Sequence, residues 1–295
     1  MRMSSASRFA STAKAKPAPA RPASSRPRGR ALARWAPLLL LASCSDPTDV
    51  QPFPGQCAPF EIVAYTPRDM AEDVPTNTPI ELIFSDYPDP DSLSTQSLVL
   101  TTGVFWHTGA YSVDLLSKTV RFRTPGSLRP NLGYSLNIGA TLRSLQGCAT
   151  SVQHRSFRTG DGPAAAPDVP TPPTFAEQVL PIFARSCAGA GCHRQPESEG
   201  GACLEHPAGS LSLCDAEAFD ALVRIPSRQI HRLLLVVPRD AARSYLLRKL
   251  LPATPDVEQA PPLPTTIGHR DPPGAALPTE QLRAISDWID NGATR

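Results

Sequence analysis

The sequence predicts a multidomain chain, with an N-terminal all-β sandwich followed by a C-terminal all-α domain. Three observations carry this expectation. Apolar and polar residues alternate over short runs between residues 57 and 159, residues 160–173 are rich in Pro, Ala and Gly, and from Thr174 onward the apolar residues recur at helical spacing. At 295 residues the chain is long enough for two ordinary domains, each with its own core, once a leader is set aside.

Residues 1–43 form that leader. They carry nine Lys/Arg, from Arg2 to Arg34, no Asp or Glu, and an apolar run from Trp35 to Ala42 that is too short to span a bilayer. A basic segment, a short apolar segment and small residues before a cut site describe a secretory signal. The ending Leu41-Ala42-Ser43-Cys44 resembles a bacterial lipoprotein lipobox. The resemblance implies cleavage before Cys44, a diacylglycerol on its sulfur, and a lipid-anchored place in the bacterial cell envelope. Ser45 is compatible with sorting to the outer membrane. A plain signal peptide with an incidental cysteine is the alternative. Removing the nine leader cations from 29 leaves 20 Lys/Arg against 27 Asp/Glu, a formal net charge of −7. With no Lys/Arg stripe left to neutralise phosphates, no nucleic-acid partner is expected. Residues 44–56 then read as a polar, Pro-containing tether.

The sandwich is predicted over residues 57–159. Its strands are the runs EIVAY, IELIF, SLVLTT, TVRFRT, YSLNI and HRSFRT, broken at turn residues such as Pro75, Asn77, Pro88, Gly126 and Asn131. The segment Val74-Pro75-Thr76-Asn77-Thr78-Pro79-Ile80, the corner from Leu128 to Tyr134 and the closing HRSFRT resemble the bacterial immunoglobulin-like domain of the SbsA type. That resemblance implies a fold and says little of activity, because such domains serve mostly as spacers or interaction modules. Cys57 precedes the first strand and Cys148 the last, so a disulfide between them is expected to tie the two ends of the sandwich. His107 and His154 stand apart from other ligand-type residues and receive no role.

Residues 160–173 read as a stiff, exposed linker. The helical domain spans residues 174–295. Thr174 and Glu177 fit a capping box, followed by Phe175, Val179, Ile182 and Phe183 on one face. Residues 241–251 predict a further helix. The last one opens at Thr279 as N-cap, aligns Leu282, Ile285, Trp288 and Ile289, and stops at Gly292. Cys203 and Cys214 bracket an inserted loop and are expected to form a local structural disulfide.

The chemistry is expected where the first helix ends, at CAGAGCH, residues 187–193. Two cysteines followed by a histidine is the pattern of c-type haem attachment, in which the thiols form thioethers and the imidazole ligates iron. The usual two intervening residues are four here, and Ala188-Gly189-Ala190-Gly191 supplies small side chains and glycine freedom for the longer loop. In order, VLPIFARSCAGAGCH, GSLSL, VVPRDAARSYLLRKL and DPPGAALPTEQLRAISDWIDNGA resemble the landmarks of planctomycete-type and related deltaproteobacterial cytochrome c domains. The resemblance implies one covalent haem c on Cys187 and Cys192, His193 as proximal iron ligand, and Trp288 packed on the N-terminal helix.

This sequence departs from that family at the distal side. Asp271 stands where a Met before Pro272-Pro273 belongs, and the chain has only Met1, Met3 and Met70. His269 as distal ligand, an open iron face, or an empty site remain, with His206 and His231 as further candidate ligands. A Cys187–Cys192 disulfide, or a zinc site using Cys187, Cys192, His193 and one more ligand, are competing readings of the same residues. The expected function is single-electron transfer to a redox protein partner by an exported lipoprotein, an electron carrier more than a catalyst. The alternative is a non-redox surface or adhesion lipoprotein whose cytochrome-like domain is haem-free.

Overall fold

Alternating burial organises the first half of the molecule into two facing sheets. The structure, a computed structural model, describes residues 59–168, 170–189, 192–196, 199–252, 272 and 276–295. Nine strands form the sandwich: β1 (Ile62–Thr66), β2 (Ala71–Val74), β3 (Ile80–Phe84), β4 (Leu98–Thr102), β5 (Phe105–His107), β6 (Ala110–Asp114), β7 (Thr119–Arg123), β8 (Gly133–Ile138) and β9 (Gln153–Thr159). One sheet runs β1-β3-β7-β6 and the other β2-β9-β8-β4-β5. Every pairing is antiparallel except β2 with β9.

The period-two expectation is met most clearly in β8, where Tyr134, Leu136 and Ile138 are buried and the residues between them are not. They meet Leu82, Leu100, Val120 and Phe122 in a core of their own. The corner expected from Leu128 to Tyr134 is present, with the Arg129 N–H donating to the Tyr134 hydroxyl at 2.8 Å. Strands β2, β5 and β6 come in addition to the six runs read from the sequence. Each lies at a sheet edge, where only one neighbour and partial burial shape the residue pattern.

The linker begins as part of the sandwich. The Thr76 N–H donates to the Gly162 carbonyl at 3.0 Å, and the Asn77 amide brackets Ala164 at 2.9 and 2.8 Å. Residues 163–168 then run exposed.

Beyond it the described residues are helical only in short pieces. They are α1 (Leu180–Ser186), α2 (Ala218–Leu222), α3 (Tyr245–Leu250) and α4 (Thr279–Asp290). Long irregular stretches join them, held by isolated bridges such as Val223 with Val236 and Pro226 with Leu234. The C-terminal part thus shows a few short helices joined by irregular chain, and the expected all-α cytochrome c-like fold is not evident in it. The third helix is shorter than residues 241–251, and Thr279 is the first helical residue of α4, with Pro278 at the N-cap and no side-chain cap bond.

Thr174 does cap, accepting from the Glu177 N–H at 3.3 Å. The reciprocal bond comes from Gln178, whose Oε1 accepts the Thr174 N–H at 2.7 Å, in place of Glu177. Residues Phe175–Val179 form a π-turn leading into α1. Pro181 explains it: a proline has no N–H for the carbonyl four residues back and its ring crowds that carbonyl, so the wider turn relieves the clash.

Phe175 lies 5.1 Å from Trp288 and 5.3 Å from Phe219, ring centre to ring centre, which joins the first and last helices as expected of Trp288. The core around these rings also takes in Tyr87, Leu115 and Leu145 of the sandwich. The sandwich and the helical part accordingly share one apolar cluster, in addition to the core that the sandwich keeps to itself. Among the described residues no helix is long and apolar enough to cross a membrane.

Candidate functional site

The candidate site is the loop that α1 delivers. The Cys187 N–H closes the helix on the Phe183 carbonyl at 2.9 Å. The chain then folds back on itself: Gly189 N–H donates to the Arg194 carbonyl (3.0 Å), Cys192 N–H to the Gly189 carbonyl (3.1 Å) and His193 N–H to the Cys187 carbonyl (3.2 Å). The longer spacing is taken up as a closed loop that returns Cys192 and His193 to the end of α1. A Cβ on residue 189 would sit 3.0 Å from the Cys192 sulfur, tighter than ordinary van der Waals contact, so the close approach favours glycine there. Cys187 and Cys192 are both buried. Ala190 and Gly191 lie outside the described residues.

A strap from residues 208 to 213 crosses this loop. Ala208 N–H donates to the Cys192 carbonyl (2.8 Å) and Leu213 N–H to the His193 carbonyl (3.1 Å). The Leu211 carbonyl accepts from His193 Nδ1 at 3.0 Å. A carbonyl can only accept, so Nδ1 carries a proton in this bond, and in the neutral ring it is Nε2 that has the lone pair. The expected Cys203–Cys214 disulfide is present, with a Cα–Cα distance of 5.5 Å, and closes the strap at its base.

Next to His193, the buried Arg194 guanidinium pairs through Nη1 with Asp215 at 2.5 Å and through Nη2 with the Gly201 carbonyl at 3.2 Å. Among the described residues, Arg194 Nε and Ser212 Oγ are buried and meet no hydrogen-bond partner. Sequence reading missed both; an Arg directly after CAGAGCH and a Ser inside GSLSL were the available signals.

The other expected site residues fall elsewhere. Cys148 is buried and disulfide-bonded, while Cys44 and Cys57 lie outside the described residues, as does His269. Cys192 is itself disulfide-bonded, which engages the sulfur that a thioether would use. His206 and His231 are exposed. Among the described residues no three His, Cys, Asp or Glu side chains are grouped so as to hold a metal ion.

A second polar feature is the seam between the sandwich and the helical part. A cleft of about 550 Å³ there is lined by Asp114, Arg239, Arg243, Arg283 and Asp290, among others. Arg283 pairs with Asp114 at 2.8 Å and Arg243 with Asp91 at 2.8 Å. The Tyr87 hydroxyl donates to the Pro252 carbonyl at 2.8 Å. Burial works to raise the Asp114 carboxyl, but bonds from Arg283 and Ser117 outweigh it and hold the pKa below the usual range. Among the described residues, no cation pairs with Asp290. Asp290 is exposed as a residue, and partial desolvation of its carboxyl pushes the pKa up to about 6, against the lowering effect of the Ala241 N–H it accepts at 2.8 Å.

Comparison with known proteins bears on the sandwich. Residues 57–159 match the family model of the bacterial Ig-like domain. Comparison with curated proteins finds no match. Among solved structures, the chain is similar to the N-terminal part of the bacterial S-layer protein SbsC at 11% identity, covering 41% of this chain and 27% of that one, with a TM-score of 0.29. The native E. coli alpha-2-macroglobulin aligns at 18% identity over 35% of this chain and 6% of its own, with a TM-score of 0.29. CopC from Methylosinus trichosporium OB3b aligns at 11% identity over 37% of this chain and 99% of its own, with a TM-score of 0.28. The sandwich of residues 57–159 is a bacterial Ig-like domain.

Proposed function

We propose that this chain is an exported, lipid-anchored cell-envelope protein in which the Ig-like domain carries a C-terminal module for one covalent haem c. The observation that carries the reading is the His193 ring, locked by the Leu211 carbonyl with Nε2 left as a free donor to a metal. Metal-ligating histidines are characteristically oriented in this way by a hydrogen bond from the other ring nitrogen.

Three features of the residues fit the group, and one, the disulfide at Cys192, must be exchanged for a thioether before haem is held there. The loop returns Cys192 and His193 to Cys187, glycine keeps position 189 open beside the Cys192 sulfur, and Arg194 Nε with Ser212 Oγ offer buried polar atoms for the anionic propionates. Cys187 and Cys192 would hold haem through thioethers and His193 through its iron, with His269 as the proposed distal ligand. When bound, such a group supplies one-electron transfer. The chain's own part is to fix the His193 tautomer, to exclude water with the strap and to keep the buried Arg194 beside the ligand. A His/His site has a lower potential than a His/Met site.

The second reading, a haem-free surface lipoprotein, is favoured by one specific observation, the disulfide at Cys192. Both readings place Cys44 under lipid and the Ig-like domain as spacer. The protein purified after export into an oxidising envelope decides between them. A pyridine haemochrome spectrum of a c-type haem supports the first, and a colourless protein removes it.

A further inference from the structure

The tip of the β4–β5 hairpin exposes three consecutive large apolar residues. Val104 is 86% exposed, and Phe105 and Trp106 are each 72% exposed. Gly103, at φ 55°, makes the turn, and β5 is the outer strand of its sheet. Successive strand residues point to opposite faces, so Phe105 and Trp106 project on both sides of the strand. The result is a wedge, without a flat face or a groove.

Strand register places this wedge. Thr102 and Phe105 pair at the end of the sandwich where Gly133 faces Arg158 and where β2 finishes beside Thr159. Arg123, Arg129 and Arg158 are exposed at this end, together with Glu72, Asp73 and Asp161. The helical part packs on the opposite end, through Tyr87, Leu115 and Asp114. The chain also enters there, where the Ser85 N–H meets the Glu61 carbonyl.

We propose that the hairpin tip inserts into an anionic lipid bilayer, so that the sandwich stands on the membrane by Val104, Phe105 and Trp106, and the helical part faces away from it. Three arguments select a bilayer over a second copy of the chain. A two-sided wedge suits a fluid medium that closes around both faces. The exposed Arg123, Arg129 and Arg158, matched in number by the carboxylates there, supply cations that can pair with acidic headgroups. Two copies meeting through these side chains alone bury on the order of 800 Å², short of the roughly 1,200 Å² of a stable specific interface. The geometry permits it as well. The segment from Cys44 to Pro59 reaches roughly 50 Å when extended, whereas strands of five to seven residues span about 17–23 Å. A lipid on Cys44 and a hairpin at the far end can share one bilayer. The inference does not depend on haem.

The test uses the mature chain from Ser45 to Arg295, purified without its lipid, and vesicles of phosphatidylethanolamine mixed with phosphatidylglycerol. It contains two tryptophans, exposed Trp106 and buried Trp288, so an emission change on adding vesicles reports Trp106. The expected result is a shift to shorter wavelength, quenching by brominated lipid, and a partition coefficient that falls by about tenfold or more in Val104→Ser/Phe105→Ser. Arg158→Gln is expected to weaken binding to the anionic vesicles and leave the fold unchanged by circular dichroism. Absence of any lipid-dependent shift overturns the proposal, as does equal binding by the double variant. So does a hairpin-dependent dimer in sedimentation without vesicles, which gives the wedge to a second copy.

Discussion

His193 Nδ1 lies 3.0 Å from the Leu211 carbonyl, and the two residues are joined a second time where the Leu213 N–H meets the His193 carbonyl at 3.1 Å. The double tie makes the imidazole part of a small backbone ladder. In the haem-free protein, nitrogen NMR above pH 7 is expected to find His193 predominantly as the Nδ1–H tautomer. A predominance of the Nε2–H form, the usual preference of a solvated histidine, contradicts the tie.

The strap depends on its disulfide. Replacing both Cys203 and Cys214 by Ser releases a short loop and is expected to cost about 2–3 kcal/mol of stability, read from chemical denaturation. The same variant is expected to weaken the His193 tautomer preference. A stability loss with the tautomer unchanged separates the strap's structural role from its role at the imidazole.

Tyr87, Leu115 and Leu145 sit in the apolar cluster of the helical part, so the two parts are expected to unfold together. Trp288 emission and far-UV circular dichroism should trace one coincident transition. Tyr87→Phe loses the bond to Pro252 and is expected to cost about 1 kcal/mol. Two resolved transitions would show that the seam is too weak to couple the parts.

The seam also predicts opposite pH effects from two aspartates. Asp114 has a folded pKa below its unfolded value of 3.8, so its contribution is present above that value and lost as pH falls through the depressed folded one. Asp290 has a folded pKa of about 6, so its contribution is complete below 3.8 and lost as pH rises through 6. Asp290→Asn keeps an acceptor for the Ala241 N–H and is expected to make the protein more stable at pH 8, by about 1 kcal/mol or less because solvent reaches the residue. Arg283→Ala with Asp114→Asn in a double-mutant cycle should yield a coupling under about 1 kcal/mol, since the arginine is partly exposed. A stability that rises between pH 5 and 8 in wild type and not in Asp290→Asn runs against the assignment.

The sandwich was legible because burial on one side of a strand writes period two into the text. Tyr134, Leu136 and Ile138 show it, and so does the Tyr134 corner. Where that pressure weakens, the reading weakens. β5 is three residues long with two of them exposed, so Phe105 and Trp106 carry a surface property that strand periodicity does not reveal. In the helical part, the ends of the core were visible in Phe175 and Trp288, which do meet. The irregular chain between them was not, because its order comes from backbone bonds such as Ala208 to Cys192, which leave no trace in residue type. The seven-residue motif was found by its cysteines and histidine. Arg194 and Ser212 were overlooked because an isolated polar residue reads as surface until its burial is seen.

The central claim is chemical and concerns two sulfurs. Peptide mapping by mass spectrometry of the exported protein, without reduction, reads both at once. The account predicts a covalent haem adduct on the peptide that contains Cys187 and Cys192, with Cys203 still linked to Cys214. A peptide in which Cys192 is held in a disulfide and no haem mass is present would contradict it.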